Sequence, residues 1–394
     1  KLESLLERGR ENGIEDLEIV DGERLHELEP HLTDDAIAAL WAPTAGIVNP
    51  FELTVGFANN AVSNGATVEL NAEVTDIEET ADAYRVATER GDIEAQVVVN
   101  AAGLYADVIS EMVGVDDFEI TPRRGEYYLY DKETDVDVQR TVFPVPSEVS
   151  KGIVVTPTDE GNVMIGPNAE EVDDVTEKAT TREGLDEVLA GAQETVPDLS
   201  KDDVIREFAG LRPAIKETGD FRIRIERRDP GFVNVAGIQS PGLASAPAVA
   251  ELVVDLVGDL AGGLSEDPTF DPYYSPPPKT RHMSHAERAA LIEEDPAYGQ
   301  IICRCEMITE GEIRDAINEP VGARTINAIK RRVRPGAGRC QGGFCQPRVV
   351  EILAEEHGVD ETDIKLEGDG SEVLIGDTKE LLLAEDSEEV RADD

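Results

Sequence analysis

Apolar positions recur along this chain with two periods, one typical of helices and one of strands. Between Phe51 and Ser63 they fall at 51, 53, 55, 57, 58 and 62, which predicts a helix. Residues 1–16 carry an apolar face and predict the end of an amphipathic helix. Alternating segments at 66–70, 74–77 and 84–88 predict a small antiparallel meander.

Two longer segments join an apolar strand to a turn of small residues. Ala95–Gly103 is a nearly unbroken apolar run that ends in Gly103, as expected for a buried strand of a parallel sheet. Phe232–Leu243 predicts a strand and a glycine turn, and Ser245–Leu260 predicts a long apolar helix after it. Such a unit directs a helix N-terminus toward an anionic or electron-rich ligand. Alternatively, its glycines only allow the helix to pack closely on the sheet.

Prolines mark a linker after this helix. Asp271-Pro272 and Pro276-Pro277-Pro278 block regular structure and stiffen residues 263–299, where we expect only one short helix. Near the end of the chain, Val373-Leu374-Ile375 predicts a strand of a small appended unit. Residues 385–394 predict a solvated acidic tail.

The only four cysteines form two close pairs, Cys303-x-Cys305 and Cys340-x4-Cys345. Thiolates select zinc, copper(I) or iron–sulfur centres, and four of them are the usual ligand set of a [2Fe–2S] cluster. Structural zinc prefers wider spacings than C-x-C, and disulfides are unexpected without secretory features. The spacing therefore favours an iron–sulfur site, with zinc and a disulfide pair as the alternatives. Basic residues crowd ahead of Cys340 and suit an anionic cluster.

The composition excludes several classes of partner. The chain has 84 acidic and 36 basic residues among 394, a net charge of −48, which repels nucleic acids and anionic membranes. Hydrophobic residues make up 40%, enough for a folded core. An acidic surface along the whole length suggests adaptation to high salt. No apolar run is long enough for a membrane helix and no signal-peptide pattern is present, so we expect a cytoplasmic protein without direct membrane insertion.

The segment around the cysteines resembles a known domain. Cys303-Arg304-Cys305-Glu306, Thr309-Glu310-Gly311-Glu312-Ile313 and Gly338-Arg339-Cys340-Gln341-Gly342-Gly343-Phe344-Cys345 are similar to the bacterioferritin-associated-ferredoxin-like (BFD-like) [2Fe–2S] domain. The C-x4-C spacing resembles the version fused behind flavin dehydrogenases of the anaerobic glycerol-3-phosphate dehydrogenase type. This resemblance covers about residues 300–357 and implies that all four cysteines are cluster ligands.

A second resemblance covers about residues 1–262. Gly46-Ile47-Val48-Asn49-Pro50, Val99-Asn100-Ala101-Ala102-Gly103, Ala209-Gly210-Leu211-Arg212-Pro213 and Gly237-Ile238-Gln239-Ser240-Pro241-Gly242-Leu243 resemble the FAD-dependent oxidoreductase superfamily of D-amino-acid oxidase and glycerol-3-phosphate dehydrogenase. That family holds the ADP half of FAD on an N-terminal G-x-G-x-x-G turn, which this sequence lacks. We therefore expect a fragment without that segment, which binds FAD poorly by itself.

The two resemblances together imply the fold class and the domains. The class is α/β (α+β), with a partial Rossmann-like FAD-binding domain, an antiparallel-sheet substrate domain and a small helical [2Fe–2S]-binding domain. The expected regions are 1–262 for the FAD-dependent oxidoreductase domain with its substrate part at about 117–225, 263–299 for the linker, 300–357 for the cluster domain, and 358–394 for the extension and tail.

The family also implies the residues of the flavin site. Val74 is expected to contact the adenine side through its backbone. Ala101, Ala102 and Gly103 are expected to pass beside the cofactor. The residues expected to line the isoalloxazine are Gly237, Ile238, Gln239, Ser240, Pro241, Gly242 and Leu243.

Arg212 is the leading candidate for binding the substrate. A guanidinium offers a planar fork that binds a carboxylate through two parallel hydrogen bonds, and the family places its substrate-binding Arg in a similar A-G-L-R-P segment. Arg124 and Tyr127 are further candidates, with Tyr128 as an alternative to Tyr127. None of the five histidines lies on these motifs, so the sequence identifies no general base and leaves an alcohol or an amine open as substrate.

These expectations describe a flavin dehydrogenase. It takes a hydride from a small anionic substrate (glycerol 3-phosphate, a 2-hydroxy acid or an amino acid) onto FAD, and the electrons leave singly through the cluster. The resemblance implies a companion flavin or electron-transfer subunit, with a membrane quinone as an onward acceptor. The alternatives are a non-catalytic electron-transfer subunit and a zinc-stabilised interaction module.

The charge yields a first prediction, about salt. The net charge of −48 repels itself until it is screened, and the Debye length falls from about 10 Å at 0.1 M to roughly 3 Å at 1 M. We expect the melting temperature, followed by circular dichroism, to rise between 0.1 and 2 M KCl. A flat or falling melting temperature would remove the argument for adaptation to salt.

Overall fold

The computed structural model describes residues 1–146, 152–376 and 378–379. Within these residues, the α-helices are α1 Leu2–Glu11, α2 Gly22–Leu28, α3 Pro50–Ser63, α4 Ala106–Met112, α5 Arg182–Gln193, α6 Gly242–Ala261, α7 His285–Glu294, α8 Glu310–Asn318, α9 Ile326–Val333 and α10 Gln346–His357. The strands are β1 Glu18–Asp21, β2 Ala38–Trp41, β3 Val74–Glu79, β4 Tyr84–Thr88, β5 Gly91–Ala95, β6 Val97–Asn100, β7 Ile120–Tyr130, β8 Val154–Pro157, β9 Val163–Gly166, β10 Glu170–Glu171, β11 Val204–Ile215, β12 Arg222–Arg228, β13 Gly231–Ala236, β14 Ile301–Cys303 and β15 Ile308–Thr309.

The chain folds into two compact units. The first contains Lys1–Val48 and Glu69–Pro268, and the second contains Asn49–Val68 together with the chain from Thr269 onward. By its contacts, the segment Asn49–Val68 belongs to the second unit, and the predicted domain bounds stay predictions. Its sequence period predicted a helix correctly but carried no information about the surface on which that helix packs.

A three-stranded mixed sheet, in the order β12-β13-β6, forms one part of the first unit. β13 pairs with β6 in parallel, with Gly231 opposite Val97 and Asn234 opposite Asn100. The parallel sheet predicted from the apolar runs is thereby confirmed. All six residues of β13 are buried, whereas Val99 in β6 is 40% exposed, so β6 is less enclosed than its apolar run predicted.

Buried polar side chains link these two strands to α4. Asn100 Nδ2 donates to Asn234 Oδ1 at 2.9 Å and to the main-chain oxygen of Ala106 at 2.7 Å. Ser110 Oγ donates to the same Asn234 oxygen at 2.9 Å. Asn234 in turn donates to Glu226 at 3.2 Å. Because an unsatisfied buried amide costs about 1–3 kcal/mol, this network favours a single register between β6 and β13.

The second part of this unit is an antiparallel sheet built around the long strand β7. It has the order β10-β7-β9-β8, and β11 also pairs with β7, with Gly125 opposite Gly210 and Arg123 opposite Arg212. One face packs against α5 in a core that includes Tyr128, Ile165 and Val188. Since side chains alternate along a strand, Arg212 and Tyr127 lie on the face opposite this core.

The predicted meander is present but shifted along the chain. β3, β4 and β5 form an antiparallel sheet in that order. The expectation of a strand at 66–70 is wrong, because these residues form no strand and the third strand is Gly91–Ala95. The short apolar segment at 66–70 has no partner strand, and Val68 and Leu70 are exposed. A separate antiparallel pair of β1 and β2 packs on α2 through Val20, Leu25 and Leu28.

The second unit is mainly helical, as predicted for the cluster domain. Its core joins α8, α9 and α10, and it includes the completely buried Ile313, Ile329 and Leu353. Thr309 and Glu312 form a capping box at the start of α8. The two-stranded pair β14–β15 carries Cys303 on its first strand.

Helix α3 is attached to this unit through a buried amide. Asn59 has no exposed surface, and its Nδ2 donates to Tyr274 Oη at 3.0 Å while its Oδ1 accepts from the Val321 amide at 2.8 Å. Tyr274 Oη then donates to Glu319 at 2.8 Å. Both ends of one side chain are therefore satisfied by residues more than 200 positions away. This unit is completed by a helix that enters from the first part of the chain.

The end of the chain differs from the prediction. Val373-Leu374-Ile375 forms no strand, and only one isolated bridge, Lys365 with Glu372, lies nearby. Val373 packs against the helical core, whereas Leu374 and Ile375 are 39% and 89% exposed, so only one residue of this short apolar run is held by packing. The predicted acidic tail, 385–394, lies outside the described residues. Within the described ranges, no helix has both the length and the apolar character needed to span a membrane.

The attachment of α3 yields a prediction about local stability. Asn59→Ala leaves the Val321 amide without its acceptor and removes one of the two hydrogen bonds of the Tyr274 hydroxyl, at a cost of about 1–3 kcal/mol, or roughly 5- to 150-fold in local opening. Hydrogen-exchange mass spectrometry of the full-length protein should show this loss of protection in the peptide that contains Val321.

Asn60→Ala is the matched control. Asn60 sits on the same helix and donates one exposed hydrogen bond, to the main-chain oxygen of Asp271. Its removal should change the exchange of the Val321 peptide little. Equal exchange in the two variants would show that Asn59 does not hold α3.

Candidate active site and cluster site

The carboxyl ends of β6 and β13 lie at one edge of the mixed sheet. β6 is followed by Ala101 and Ala102 and by a short 3-10 helix, Gly103–Tyr105, in which Gly103 has a φ of 60°. The Asn100 side chain accepts a hydrogen bond from the Ala102 amide at 3.2 Å and so shapes this turn. A glycine suits the left-handed conformation of residue 103.

β13 ends in the second predicted turn. Gly237 has a φ of 70°, and a Cβ there would lie 2.8 Å from Ile215. Gly242 opens the 20-residue helix α6, and a Cβ on it would lie 2.6 Å from the Ile238 side chain. Both glycines thus allow close packing, which was the alternative interpretation of these turns. The segment between them nevertheless lies at the sheet edge where α/β folds bind dinucleotides.

Val74 lies apart from these turns, at the start of β3. It pairs with Thr88 and packs on a cluster that includes Phe232 of β13 and Val98 of β6. The two turns and Val74, which are the three segments predicted for the flavin site, therefore all connect to or pack on the mixed sheet.

Arg212 lies near the end of β11 with its guanidinium partly buried. Its Nη2 donates to the main-chain oxygen of Asn168 at 2.9 Å. Its Nε is buried without a hydrogen-bond partner among the described residues, and no carboxylate in that part of the chain pairs with it. Burial lowers the pKa of Arg212 from its usual value, yet a guanidinium stays charged in proteins. A half-buried cation without a counter-ion is suited to binding an anion.

The surface beside Arg212 has a floor of small residues and an aromatic wall. A Cβ on Gly125 would lie 2.8 Å from Cβ of Pro167 and 3.0 Å from Nη2 of Arg212, so glycine at this position leaves room for the guanidinium over β7. Tyr127 stacks on Phe208 with ring centroids 4.9 Å apart. Burial raises the pKa of Tyr127, so its hydroxyl stays protonated near neutral pH. The structure thus places Arg212 and Tyr127 on one face.

Arg124 is placed on the opposite face, in the core. It is 2% exposed and pairs with Glu170 at 2.6 Å and Glu177 at 2.8 Å. The hydrogen bond to Glu170 and the nearby carboxylates raise the pKa of its guanidinium. Since these carboxylates already balance its charge, Arg124 does not lie with Arg212 and has a structural position.

The four cysteines come together in the second unit. Sγ of Cys305 lies 3.6 Å from Sγ of Cys340, and Cys303 and Cys345 share a hydrogen bond. All four are free of disulfides. Each close pair therefore joins one residue from each cysteine segment, and the four thiols together would provide the ligand set of a [2Fe–2S] cluster.

Backbone amides stabilise negative charge on the sulfurs. The hydrogen bond from Cys345 is the largest cause that lowers the pKa of Cys303 to about 6, and amides of Gly336, Glu306 and Cys305 add to it. Cys340 accepts from the amides of Phe344 and Gly342. Hydrogen bonds of this kind stabilise thiolate ligands and raise the potential of a cluster.

Glycine is required in the loop that approaches Cys305. A Cβ on Gly338 would lie 2.6 Å from Cβ of Cys305 and 2.9 Å from the Glu306 carboxylate. That carboxylate is buried and accepts from Arg334 Nε at 3.0 Å. The buried ion pair positions the loop directly behind the first cysteine segment.

The residues in both places fit their cofactors. At the mixed sheet, two strand ends, two glycine turns and one helix N-terminus meet at a single edge, which suits the isoalloxazine of FAD. In the second unit, four thiols meet in two cross-segment pairs with amides directed at the sulfurs, which suits a [2Fe–2S] cluster. Fold and sites together define an iron–sulfur flavoprotein.

Comparison with known families agrees with this class. Residues 1–256 match the family described as FAD dependent oxidoreductase, and residues 301–355 match the BFD-like [2Fe-2S] binding domain. The chain belongs to the FAD dependent oxidoreductase family, and FAD and a [2Fe–2S] cluster are its cofactors. The predicted fusion of the two domains and the predicted fold class are confirmed.

Individual relatives and one solved structure are similar to large parts of this chain. The chain is 47% identical to a glycerol 3-phosphate dehydrogenase of Caloramator mitchellensis, over 96% of this chain and 78% of that protein. It is 27% identical to the anaerobic glycerol-3-phosphate dehydrogenase subunit A1 of Haloferax volcanii, over 90% of this chain and 67% of that protein. The solved L-alpha-glycerophosphate oxidase of Mycoplasma pneumoniae, dithionite-reduced with FAD bound, superposes with a TM-score of 0.63 at 32% identity, covering 70% of this chain and 73% of that one.

Several residues that shape the sites were not among the predicted site residues. Asn168 offers its main-chain oxygen to Arg212, while its side chain accepts from the Glu126 amide at 2.9 Å and donates to the Glu126 carboxylate at 3.2 Å. Asn234 fixes the register beside the flavin edge. A buried polar residue next to a predicted turn was the available signal, but Asn168 and Asn234 are paired with Glu126 and Asn100, which lie 42 and 134 positions away.

The thiol geometry yields a prediction about the cluster. Cys340→Ser removes one of four ligands and should abolish the visible absorption of the cluster, while FAD content stays unchanged because the flavin edge lies in the other unit. Phe344→Leu is the matched control, since it alters the same loop and keeps four thiols. A Cys340→Ser protein with a full cluster spectrum would contradict the ligand assignment.

Proposed function

We propose that this protein oxidises a small anionic alcohol, with glycerol 3-phosphate as the preferred substrate, and passes the electrons singly to its [2Fe–2S] cluster. The observation that carries the proposal is Arg212, a partly buried guanidinium with no carboxylate partner among the described residues. A phosphate or carboxylate beside it gains charge-assisted hydrogen bonds. The choice of glycerol 3-phosphate is supported by the names of the relatives at 47% and 27% identity.

The protein's own residues contribute binding and orientation. Arg212 holds the anionic group of the substrate. Asn168, anchored by Glu126, orients the guanidinium through its main-chain oxygen. The glycines at 125 and 210 keep the floor open, and the Tyr127–Phe208 pair limits water on one side. Together these contacts fix the position of the substrate carbon that is oxidised.

The oxidation of an alcohol to a ketone releases a hydride from carbon and a proton from oxygen. Bound FAD supplies the hydride acceptor, and a [2Fe–2S] cluster supplies a carrier for one electron at a time. Two electrons therefore leave the protein in two successive steps. We propose a companion electron-transfer subunit as the receiver, since one relative is named as a subunit of an anaerobic dehydrogenase.

The experiment that tests this function is anaerobic stopped-flow spectroscopy of full-length, cofactor-loaded protein. Glycerol 3-phosphate should bleach the flavin bands first and the cluster absorption afterwards. A panel of 2-hydroxy acids and amino acids should react more slowly. Bleaching by dithionite but by no substrate would favour a non-catalytic electron carrier. A faster reaction with a 2-hydroxy acid or an amino acid would show that this compound, and not glycerol 3-phosphate, is the preferred substrate.

Substitution of Arg212 tests the anion site directly. Arg212→Ala removes both charge and hydrogen bonds, and Arg212→Lys keeps the charge but loses the planar fork. Because hydrogen bonds to charged groups contribute about 1.5–3 kcal/mol each, kcat/KM for flavin reduction should fall at least about tenfold in both variants. FAD content and cluster absorption should remain near those of the unmodified protein.

Arg206→Ala is the matched control for this experiment. Arg206 is an exposed arginine of the same strand, β11. Its loss changes the net charge equally and should leave kcat/KM nearly unchanged. Flavin reduction by Arg212→Ala at the unmodified rate, with every active substrate, would make Arg212 a structural residue.

A further inference from the structure

The four cysteines differ strongly in exposure. Cys303 and Cys345 are 1% and 2% exposed, whereas Cys305 and Cys340 lie on the surface. Because the close pairs are Cys303 with Cys345 and Cys305 with Cys340, one pair faces the core and the other faces solvent. A cluster held here has one protected side and one accessible side.

An arginine and an aromatic ring flank the accessible side. Arg304 lies between the first two cysteines, and its guanidinium stacks 4.8 Å from the ring centre of Phe344, which precedes Cys345. Phe344 is 60% exposed and Met307 is 47% exposed. Large exposed apolar side chains beside a charge are typical of protein interfaces. We call Arg304, Cys305, Met307, Cys340 and Phe344 the cluster edge.

The sequence around the cluster edge is rich in basic residues, of which Arg314, Arg331, Arg332, Arg334 and Arg348 are paired with carboxylates. Residues 300–350 contain nine arginines and lysines against five acidic residues, in a chain of net charge −48. In the two cysteine loops, 303–308 and 338–346, the single acidic residue is Glu306, which is buried and paired with Arg334. Arg304 is exposed and has no carboxylate partner among the described residues. Within the described part of the chain, Arg304 therefore places one positive charge without a carboxylate partner at the edge.

We propose that the cluster edge is the docking surface for a redox protein that presents carboxylates around its own electron acceptor. This proposal rests on the proposed function, in which electrons leave through the cluster. At this surface the reduced cluster returns to its oxidised state, and the partner's acceptor gains the one electron that is lost. No bond is formed or broken.

Both components of the edge contribute to such contact. The stacked Arg304–Phe344 pair gives a flat apolar surface with a cation on it, which fits a carboxylate-rimmed partner. At 0.1 M salt the Debye length is about 10 Å, so a partner at this surface senses mainly the local arginines and little of the distant acidic surface. The competing explanation is that Arg304 only offsets the negative charge of the cluster and raises its potential.

The test uses full-length protein that carries FAD and the cluster and is reduced with dithionite, so that it requires no substrate. Oxidation of the cluster is followed by stopped-flow absorbance with two small acceptors of opposite charge, ferricyanide and tris(1,10-phenanthroline)cobalt(III). Acidic cytochrome b5 serves as the protein-sized probe. The measured quantity is the rate of cluster oxidation by ferricyanide divided by the rate of oxidation by the cobalt complex. A change of cluster potential affects both rates and largely cancels in this ratio.

Arg304→Gln should lower the ferricyanide-to-cobalt ratio about threefold or more at 0.1 M KCl and slow cytochrome b5 by a similar factor, because one positive charge leaves the contact. The effect should shrink at 1 M KCl. Arg304→Lys should keep most of the ratio. Arg324→Gln, an exposed arginine of the same unit outside both cysteine loops, should leave the ratio unchanged.

Phe344→Leu separates contact from charge. It should slow cytochrome b5 and leave the ratio for the small acceptors unchanged, because the charge stays in place. An unchanged ratio and unchanged cytochrome b5 rate in Arg304→Gln, with a shifted cluster potential, would overturn the docking surface and leave Arg304 as a modulator of potential. Failure of the proposed function appears separately, as a cluster that dithionite reduces and no substrate does.

Discussion

The parallel pairing of β6 with β13 is the constraint on which the first unit depends. The two strands are separated by more than 130 residues, and their register is fixed by Asn100 and Asn234, which hydrogen-bond to each other at the same level of the sheet. Because parallel strands end at the same edge, this one pairing brings two turns and the N-terminus of α6 together. It also sets Gly237 against Ile215 at the end of β11, and β11 carries Arg212.

Two arginines on neighbouring strands show how a sheet divides structure from function. Arg124 and Arg212 belong to strands that pair along their length, yet they lie on opposite faces. Arg124 is surrounded by carboxylates in the core, where an uncompensated charge would be strongly destabilising. Arg212 lacks such a partner and is held by one main-chain oxygen, so its remaining hydrogen-bonding capacity is available to a ligand. The difference between the two comes from their counter-ions and not from their residue type.

The second unit solves a different physical problem, which is to hold four thiolates close together. Backbone amides aimed at sulfur stabilise the negative charge, glycines at 336 and 338 allow the loop to come close, and the buried Glu306–Arg334 pair holds the loop in place. Helix α3 completes the hydrophobic and polar contacts of this unit through Asn59. Residues 49–68 therefore belong to the same compact unit as the four cysteines.

The sequence by itself determined the features that depend on local pattern or on rare residues. Four cysteines in two pairs predicted a metal site. Apolar strands ending in glycine predicted a parallel sheet, and a helical period over 51–63 predicted a helix. The short apolar segments at 66–70 and 373–375 led to wrong predictions of strands, because a segment of this length forms a strand only when another strand pairs with it. Tertiary structure alone decided which arginine is neutralised, which cysteines are exposed and where α3 packs. Each of these depends on partners that are distant along the chain, and local sequence patterns carry no information about such partners.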